Sequence, residues 1–410
     1  MIRRRHDNGL ASGVGCALLL ACAAVVLAQA PETPAPYAGT GAPSTTRAEY
    51  DWRLPRWTPK PLVPPGNPMS HEKVELGRFL FYDKRMSING TTSCATCHQQ
   101  ARAFTDGVKL AIGATGEKHP RNTMALANVA YTPVLTWANP LMTALESQAL
   151  VPMFGEHPVE MGLAGKEAEL LRLLRRDPRY ERRFALAFPG ESDPYTLANL
   201  TRALAAFQRT LVSFDSPYDR YRYGGDSKAI PAAAKRGERL FFSERLECFH
   251  CHGGVNFSDS VVHERLRDAE IAFHNTGLYN LDGRGAFPPG NKGLIEHSGK
   301  PGDMGRFRTP SLRNVAVTAP YMHDGSVATL SEAIAHYARG GRRIASGPTR
   351  GDGAKNPYKS GFVKGFRLTE GEKRDLIAFL ESLTDRGFLT DPRFADPFEA
   401  PGTATLPASR

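Results

Sequence analysis

Two short strings of cysteine and histidine have the residue types and the spacing that most clearly indicate a chemical function. Each string has the form Cys-x-x-Cys-His, so two thiols are followed directly by an imidazole. Two thiols at this spacing can add to the two vinyl groups of one porphyrin, and the next residue then lies under the ring, where its imidazole binds the iron. The sequence therefore predicts two covalently attached c-type haems. The predicted attachment residues and proximal ligands are Cys94, Cys97 and His98 for the first haem and Cys248, Cys251 and His252 for the second.

The cysteine count favours haem attachment over two other uses of such pairs. Cys16 and Cys22 lie in the N-terminal stretch, and the other four of the six cysteines form the two motifs. Disulfides are the usual use of an even cysteine set in an exported protein, but they do not account for the histidine after each pair. One zinc site made of all four cysteines does not need those histidines either, and its two halves are far apart in the chain.

The N-terminus has the three parts of an export signal. Arginines at positions 3–5 precede an apolar stretch from Leu10 to Leu27, and Ala28-Gln29-Ala30 is a small-x-small cleavage site. We therefore expect residues 1–30 to be removed and the mature protein to lie in the periplasm, with no later segment that spans a membrane. The alternatives are a lipoprotein anchored at Cys22 and an uncleaved anchor formed by the apolar stretch.

The charge of the chain bears on its partners. The formal net charge is +10 over 410 residues, and no basic stretch is interleaved with aromatic residues. A solvated basic surface accounts for this excess, and it also suits an acidic partner surface. We therefore expect no nucleic acid partner.

An internal repeat organises the remainder of the chain. Similar amphipathic strings, at 75–81 and 235–242, precede the two haem motifs, and each half ends in an amphipathic helix, at about 195–214 and about 369–383. An opening helix, a haem motif and a closing helix are typical of a small cytochrome c domain. We therefore predict an all-α fold of two tandem cytochrome c-like domains, each with one covalent c-type haem. The predicted boundaries are a Pro-rich extended segment at 31–68, an N-terminal domain at 69–223, a C-terminal domain at 224–390 and a flexible tail at 391–410.

The chain resembles the bacterial di-haem cytochrome c peroxidase and MauG superfamily from about Glu72 to Leu383. The resemblance rests on the two haem motifs and on four further strings, at 121–129, 146–152, 159–162 and 309–325. It implies that the N-terminal haem reacts with hydrogen peroxide and that the C-terminal haem stores or relays electrons. It also implies a calcium ion and a tryptophan between the haems. The strings at 122–131 and 135–140 are most similar to the MauG-like MbnH group.

The resemblance carries particular roles onto particular positions. It places Trp137 between the haems, and it places Gln148, Pro152 and Glu160 on the distal side of the first haem, with Glu160 as the general acid–base for peroxide. The implied calcium ligands are the Asn122 side chain and the backbone carbonyls of Thr318 and Pro320, and carbonyl oxygens suit calcium. The residue at the position of the sixth ligand of the second haem is Tyr337.

At two positions this chain differs from the members of the superfamily that receive electrons from a small donor protein, and both differences affect the expected chemistry. Those members have a methionine where this chain has Tyr337, and a blocking histidine of the first haem where this chain has Ala114. A phenolate oxygen stabilises the more oxidised states of iron, whereas methionine favours ferrous iron. We therefore expect an open first haem and a second haem suited to holding an oxidising equivalent. Alternatives remain for both: His336 or Met322 in place of Tyr337, and His119 as a sixth ligand of the first haem.

The leading functional hypothesis is a MauG-type peroxidase. Its expected substrate is an aromatic residue, tryptophan, of a periplasmic partner protein, since the MbnH group's activity converts such a tryptophan to kynurenine. A peroxide-detoxifying cytochrome c peroxidase fed by a small electron-donor protein is the second hypothesis. A non-enzymatic di-haem electron carrier is the third. The alternatives without a catalytic role are that Trp137 is a residue of the hydrophobic core and that Glu160 is a carboxylate at the start of a helix.

Overall fold

The computed structural model describes residues 49–266 and 271–399. The predicted signal peptide at 1–30, Cys22 and the first part of the Pro-rich segment lie outside these ranges. The described residues from Tyr50 to Glu399 form one compact unit. Within the described ranges, no helix is long and apolar enough to cross a membrane.

The described residues form a mostly helical structure, so the predicted all-α class is confirmed. Four two-residue strands are the only strands in the described ranges, and they form two antiparallel pairs, β1 with β2 and β3 with β4. The helices are α1 (His71–Tyr82), α2 (Cys94–Cys97), α3 (Leu145–Phe154), α4 (Glu167–Arg175), α5 (Pro178–Ala187), α6 (Leu197–Arg209), α7 (Pro217–Arg222), α8 (Ala232–Phe241), α9 (Ile295–Ser298), α10 (Leu330–Ala338), α11 (Glu370–Glu381) and α12 (Arg386–Thr390). The strands are β1 (Phe273–His274), β2 (Phe307–Arg308), β3 (Arg343–Ile344) and β4 (Gly351–Asp352).

The internal repeat of the sequence appears as two similar helix pairs. In the first half α1 packs against α6, and in the second half α8 packs against α11. Gly77 and Gly237 occupy the same place in the two repeats, where each faces the backbone of the partner helix. A Cβ added at Gly77 would lie 1.9 Å from the carbonyl oxygen of Ala203, and one added at Gly237 would lie 2.0 Å from that of Asp375. Glycine is therefore required at both positions by contact between backbones.

Both closing helices are somewhat shorter than the sequence predicts. The capping box at the start of α11 forms as expected, because the Thr369 side chain accepts from the Glu372 backbone and the Glu372 side chain accepts from the Thr369 backbone. Helix α6 ends at Arg209 rather than near 214. The next residues bond elsewhere: the Asn128 backbone nitrogen donates to Leu211 O at 2.7 Å, and the Ser213 backbone nitrogen donates to Asn128 Oδ1 at 2.7 Å. This exchange joins the end of α6 to the segment before Trp137.

Each helix pair has its own hydrophobic core. The first core surrounds α1, α5 and α6 and includes Leu76, Leu80, Phe81 and Phe207. The second core surrounds α8 and α11. Its buried residues include Ala234, Phe241, Phe257, Phe379 and Leu383. This arrangement accords with one haem motif in each half, and the predicted boundaries near residues 69 and 224 stay predictions.

The C-terminal segment packs on the first half of the molecule. Phe388 and Phe394 are buried in the first core, and the Tyr82 hydroxyl donates to Phe394 O at 2.6 Å. Phe398 contacts Phe79 edge to face. The prediction of a flexible tail from residue 391 is therefore wrong as far as residue 398. The reason is that these aromatic residues bury apolar surface against α1, a long-range contact that the local sequence does not reveal.

Candidate active site

The first haem motif presents an imidazole already oriented to bind iron. Cys94 to Cys97 form the short helix α2, and His98 follows directly. The Nδ1 atom of His98 lies 2.8 Å from the carbonyl oxygen of Phe104. Burial lowers the pKa of His98, so the ring is neutral. The Nε2 atom is therefore the nitrogen left for a metal, as in a proximal haem ligand.

The second motif repeats this arrangement. The Nδ1 atom of His252 lies 3.1 Å from the carbonyl oxygen of Phe257, and burial lowers the pKa of His252. No disulfide joins any of the four motif cysteines, all of which lie in the described ranges. A cavity of about 410 Å³ lies against Cys248, Cys251 and His252. Its wall is largely apolar, with Leu246, Leu312, Val315, Ile334 and Val363 among the lining residues. These donors and this wall fit a covalently attached haem.

Tyr337 lies on the wall of this cavity. Helix α10 presents Leu330, Ala333, Ile334 and Tyr337 to the cavity, at helical spacing. The hydroxyl of Tyr337 makes no hydrogen bond to any residue that the structure describes, and burial raises the pKa of Tyr337 above its ordinary value. His336 is buried on another side of α10, with its ring edge-on to Tyr337. Met322 also lines the cavity.

A hydrogen-bonded link connects the residues predicted between the haems. The Trp137 ring nitrogen donates to Asn122 O at 2.9 Å, and the Asn122 backbone nitrogen donates to His323 O at 2.8 Å. Asn122 Nδ2 donates to the carbonyls of Val108 and Lys109. Asn122 Oδ1 is therefore the side-chain atom left to bind a cation. Trp137 and the three predicted calcium residues, Asn122, Thr318 and Pro320, all line the same cavity.

The residues predicted on the distal side of the first haem lie on α3 and the segment after it. Gln148 and Pro152 belong to α3, and the Met161 backbone nitrogen donates to Pro152 O at 2.9 Å, which fixes Glu160 beside that helix. Burial raises the pKa of Cys97 to about 12, and the charges of Asp106 and then Glu160 add to this shift. Glu160 thus lies close enough to the first motif for its charge to act there.

The sequence analysis missed three polar contacts near the two haem motifs. Glu146 forms an ion pair with Arg209 at 2.8 Å and anchors α3 to α6, although its string indicated only a family resemblance. His119 Nε2 lies 3.8 Å from Glu160 Oε1. His274 Nε2 lies 2.6 Å from Asp259 Oδ2, and both groups lie next to the Cys251 thiol. The partners are distant in sequence in all three contacts, so no local pattern identifies them.

Comparisons with known proteins agree with this architecture. A family model described as di-haem cytochrome c peroxidase matches residues 71–228. The methylamine utilization protein MauG of Methylorubrum extorquens is 36% identical over 334 residues, which are 81% of this chain and 83% of that protein. Cytochrome c551 peroxidase of Pseudomonas aeruginosa is 30% identical over 342 residues, 83% of this chain and 86% of that protein.

A solved structure extends the likeness to three dimensions. It is described as a MauG-like protein associated with microbial copper homeostasis, and it is 52% identical to this chain. The TM-score is 0.83, over 85% of this chain and 100% of that one. The diheme peroxidase BthA of Burkholderia thailandensis, 23% identical with a TM-score of 0.62 over 80% of this chain and 90% of that one, shares the fold. The predicted cytochrome c-like fold, the two haems and the predicted enzyme class, an oxidoreductase acting on peroxide, are thereby confirmed. The chain belongs to the di-haem cytochrome c peroxidase and MauG family.

Proposed function

We propose that this chain is a MauG-type peroxidase that uses hydrogen peroxide to oxidise an aromatic residue, tryptophan, of a partner protein. When bound, the two haems supply the reduction of peroxide and hold the oxidising equivalents. The observation that carries the proposal is the place of Tyr337, which lies on the cavity wall shared with His252 and makes no hydrogen bond to any described residue. A hard phenolate ligand there favours storage of oxidising power over electron relay.

The likeness to a MauG-like protein supports the same choice and suggests the setting of the partner. That relative is associated with microbial copper homeostasis, so we propose a partner protein from a copper-handling system. The N-terminal export signal suggests that the encounter takes place in the periplasm. The substrate is too large to enter a haem pocket, so the oxidation must take place at a distance from the peroxide.

The residues around the two haem motifs have separate roles in this proposal. His98 and His252 bind the two irons through Nε2. Glu160 moves a proton between the two oxygens of peroxide, and Gln148 and Pro152 line the same side. Trp137 lies on the wall of the cavity beside the second haem motif and donates a hydrogen bond to Asn122 O, so it is suited to pass electrons between the halves. Asn122, Thr318 and Pro320 hold a calcium ion that stiffens this link.

The test compares the ferric holo-protein with its Tyr337→Phe variant by optical and EPR spectroscopy, before and after stoichiometric hydrogen peroxide. We expect one high-spin and one low-spin haem without a methionine charge-transfer band, and a low-spin signal that changes in Tyr337→Phe. We also expect a long-lived peroxide product without added electron donor. Tyr321→Phe is the matched control, because Tyr321 lines the same cavity but its hydroxyl donates to Val315 O at 3.1 Å.

The donor-fed cytochrome c peroxidase is the second candidate, and one observation favours it. Met322 lines the same cavity as Tyr337, and a methionine ligand would make the second haem an electron relay. Two low-spin haems, or a methionine signature that survives Tyr337→Phe, would overturn the MauG-type proposal and leave this candidate. Family membership argues against the non-enzymatic electron carrier.

A further inference from the structure

A hairpin at 111–119 lies over the segment that contains Glu160. Within the hairpin, the Gly113 nitrogen donates to Glu117 O at 2.8 Å, and Ile112 pairs with Lys118 as an antiparallel bridge. The Ala114 nitrogen donates to Glu160 O at 2.6 Å. A Cβ added at Gly113 would lie 2.0 Å from the carbonyl oxygen of Val159, so the two segments are in backbone contact.

His119 ends this hairpin with its ring held in place. Its backbone nitrogen donates to Ala111 O at 2.9 Å. Its Nδ1 atom lies 3.1 Å from the Arg121 backbone nitrogen and 2.9 Å from the Arg121 carbonyl oxygen. The Nε2 atom is left to face Glu160, with 3.8 Å between Nε2 and Oε1. One bridging water or a small rotation closes such a gap.

The pair lies between the interior and solvent. The His119 and Glu160 side chains are each 32% exposed. Burial nevertheless dominates the carboxyl and raises the pKa of Glu160, whereas the charge of His119 lowers it. The imidazole therefore lies where it can exchange protons with water and affect the ionisation of a carboxyl beside the first haem.

The other charged groups on the surrounding elements either bond to groups other than His119 and Glu160 or face solvent. The Glu117 carboxylate accepts from the Val159 nitrogen at 3.0 Å. The Asp106 carboxylate accepts from the Thr123 hydroxyl at 2.7 Å and from the Val108 nitrogen at 3.1 Å. The Arg121 guanidinium points away from the pair and bonds to Asn291 and Glu296. Lys118 is exposed on the hairpin, and His157 is exposed before Pro158.

We propose that His119 is a positioning residue that keeps Glu160 ionised and passes protons between Glu160 and solvent. The inference rests on the proposed role of Glu160 and assigns the path by which its protons arrive. In the peroxide step, Glu160 takes a proton from one oxygen and returns it to the other, which leaves as water, so no proton is gained or lost. The full reduction of hydrogen peroxide to two water molecules consumes two electrons from the partner protein and two protons from solvent, and those two protons pass through His119 and Glu160.

The test measures the rate at which the Soret band of the ferric holo-protein changes after mixing with hydrogen peroxide, as a function of pH. The variants are His119→Gln, Glu160→Gln and, as the matched control, the exposed His157→Gln. In the native protein the rate falls at acid pH as Glu160 is protonated. The charge of His119 lowers the pKa of Glu160, so in His119→Gln the acid limb, the pH range over which the rate falls, moves to higher pH and the rate within that range is lower than in the native protein. His157→Gln leaves the limb in place.

The return of the oxidised protein to the ferric state, in light and heavy water, gives a second readout. With the reducing partner or a small aromatic reductant present, His119→Gln slows this return and enlarges the solvent isotope effect. An unmoved acid limb with an unchanged return overturns the inference. A ferric spectrum in which His119→Gln converts a low-spin first haem to high-spin also overturns it, because His119 would then be an iron ligand. Unimpaired reaction of Glu160→Gln would instead refute the proposed role of Glu160.

Discussion

Replacement of Gly77 or Gly237 by alanine tests whether the two haem-bearing halves depend on close helix packing. Alanine is the better helix former, by about 1 kcal/mol, so propensity alone predicts that both variants are more stable. The structure predicts the opposite. Each added Cβ would lie on the backbone carbonyl of the facing helix, 1.9 Å from Ala203 O and 2.0 Å from Asp375 O.

The size of the effect follows from these distances. Ordinary contact between heavy atoms lies at about 3.5 Å or more, so each helix pair must separate by roughly 1.5 Å. A backbone carbonyl cannot rotate away as a flexible side chain can, so the cost lies at the upper end of the about 1–3 kcal/mol that overpacking costs. After the gain in helix propensity, a net loss of about 2 kcal/mol remains. In a half of this length, that loss lowers Tm by roughly 4–8 °C.

The assay is thermal unfolding of the ferric holo-protein, followed by far-UV circular dichroism and by the Soret band. Gly371→Ala is the matched control, because Gly371 lies in helix α11 and an added Cβ would meet nothing closer than 3.8 Å. We expect that control to keep or raise Tm. If Gly77→Ala or Gly237→Ala raises Tm as the control does, the facing helices are not in backbone contact at these two glycines.

Two further predictions concern buried charges. Arg313→Met leaves the Asp219 carboxylate, whose side chain is 2% exposed, without the guanidinium that lies 2.8 Å away. We expect this variant to lose about 3–5 kcal/mol of unfolding free energy, measured by chemical denaturation. Arg313→Lys keeps the positive charge and is the control, so equal stability of the two variants would contradict the prediction. The His274 ring donates a hydrogen bond to the Asp259 carboxylate, which raises the pKa of His274, so this pair stabilises the fold fully below about pH 6.5 and loses its effect as the pH rises through the raised pKa. In Asp259→Asn the thermal stability should no longer fall over that window, and an unchanged pH profile would show that the pair has no such linkage.

The sequence predicted what depends on neighbouring residues. The haem motifs are contiguous, so their chemistry follows from five positions each. Helix α11 was recognisable because its apolar spacing and its capping residues, Thr369 and Glu372, act within a few turns. The equivalence of Gly77 and Gly237 is also visible in the aligned repeats, although only the structure shows what each glycine contacts.

What the sequence did not predict depends on residues that are distant in the chain. His119 meets Glu160 only because the hairpin folds back over the segment after α3. The sequence places Phe394 in a predicted flexible tail, yet Phe394 is buried in the first core, where it packs on residues more than 300 positions earlier. A single sequence has no periodic signal for such contacts, because periodicity reports one element and not its neighbours.

The choice between Tyr337 and His336 as the candidate ligand of the second haem depends on the rotation of one helix. Consecutive residues on a helix point about 100° apart, and of the neighbours His336 and Tyr337 it is Tyr337 that lines the second haem cavity. The cavity-facing residues Leu330, Ala333, Ile334 and Tyr337 follow the helical period, and His336 lies off that face. Packing of the apolar residues on this face of α10 therefore holds Tyr337 toward the second haem motif. In the proposed storage haem, the ligand would thus owe its position to the amphipathic pattern of α10.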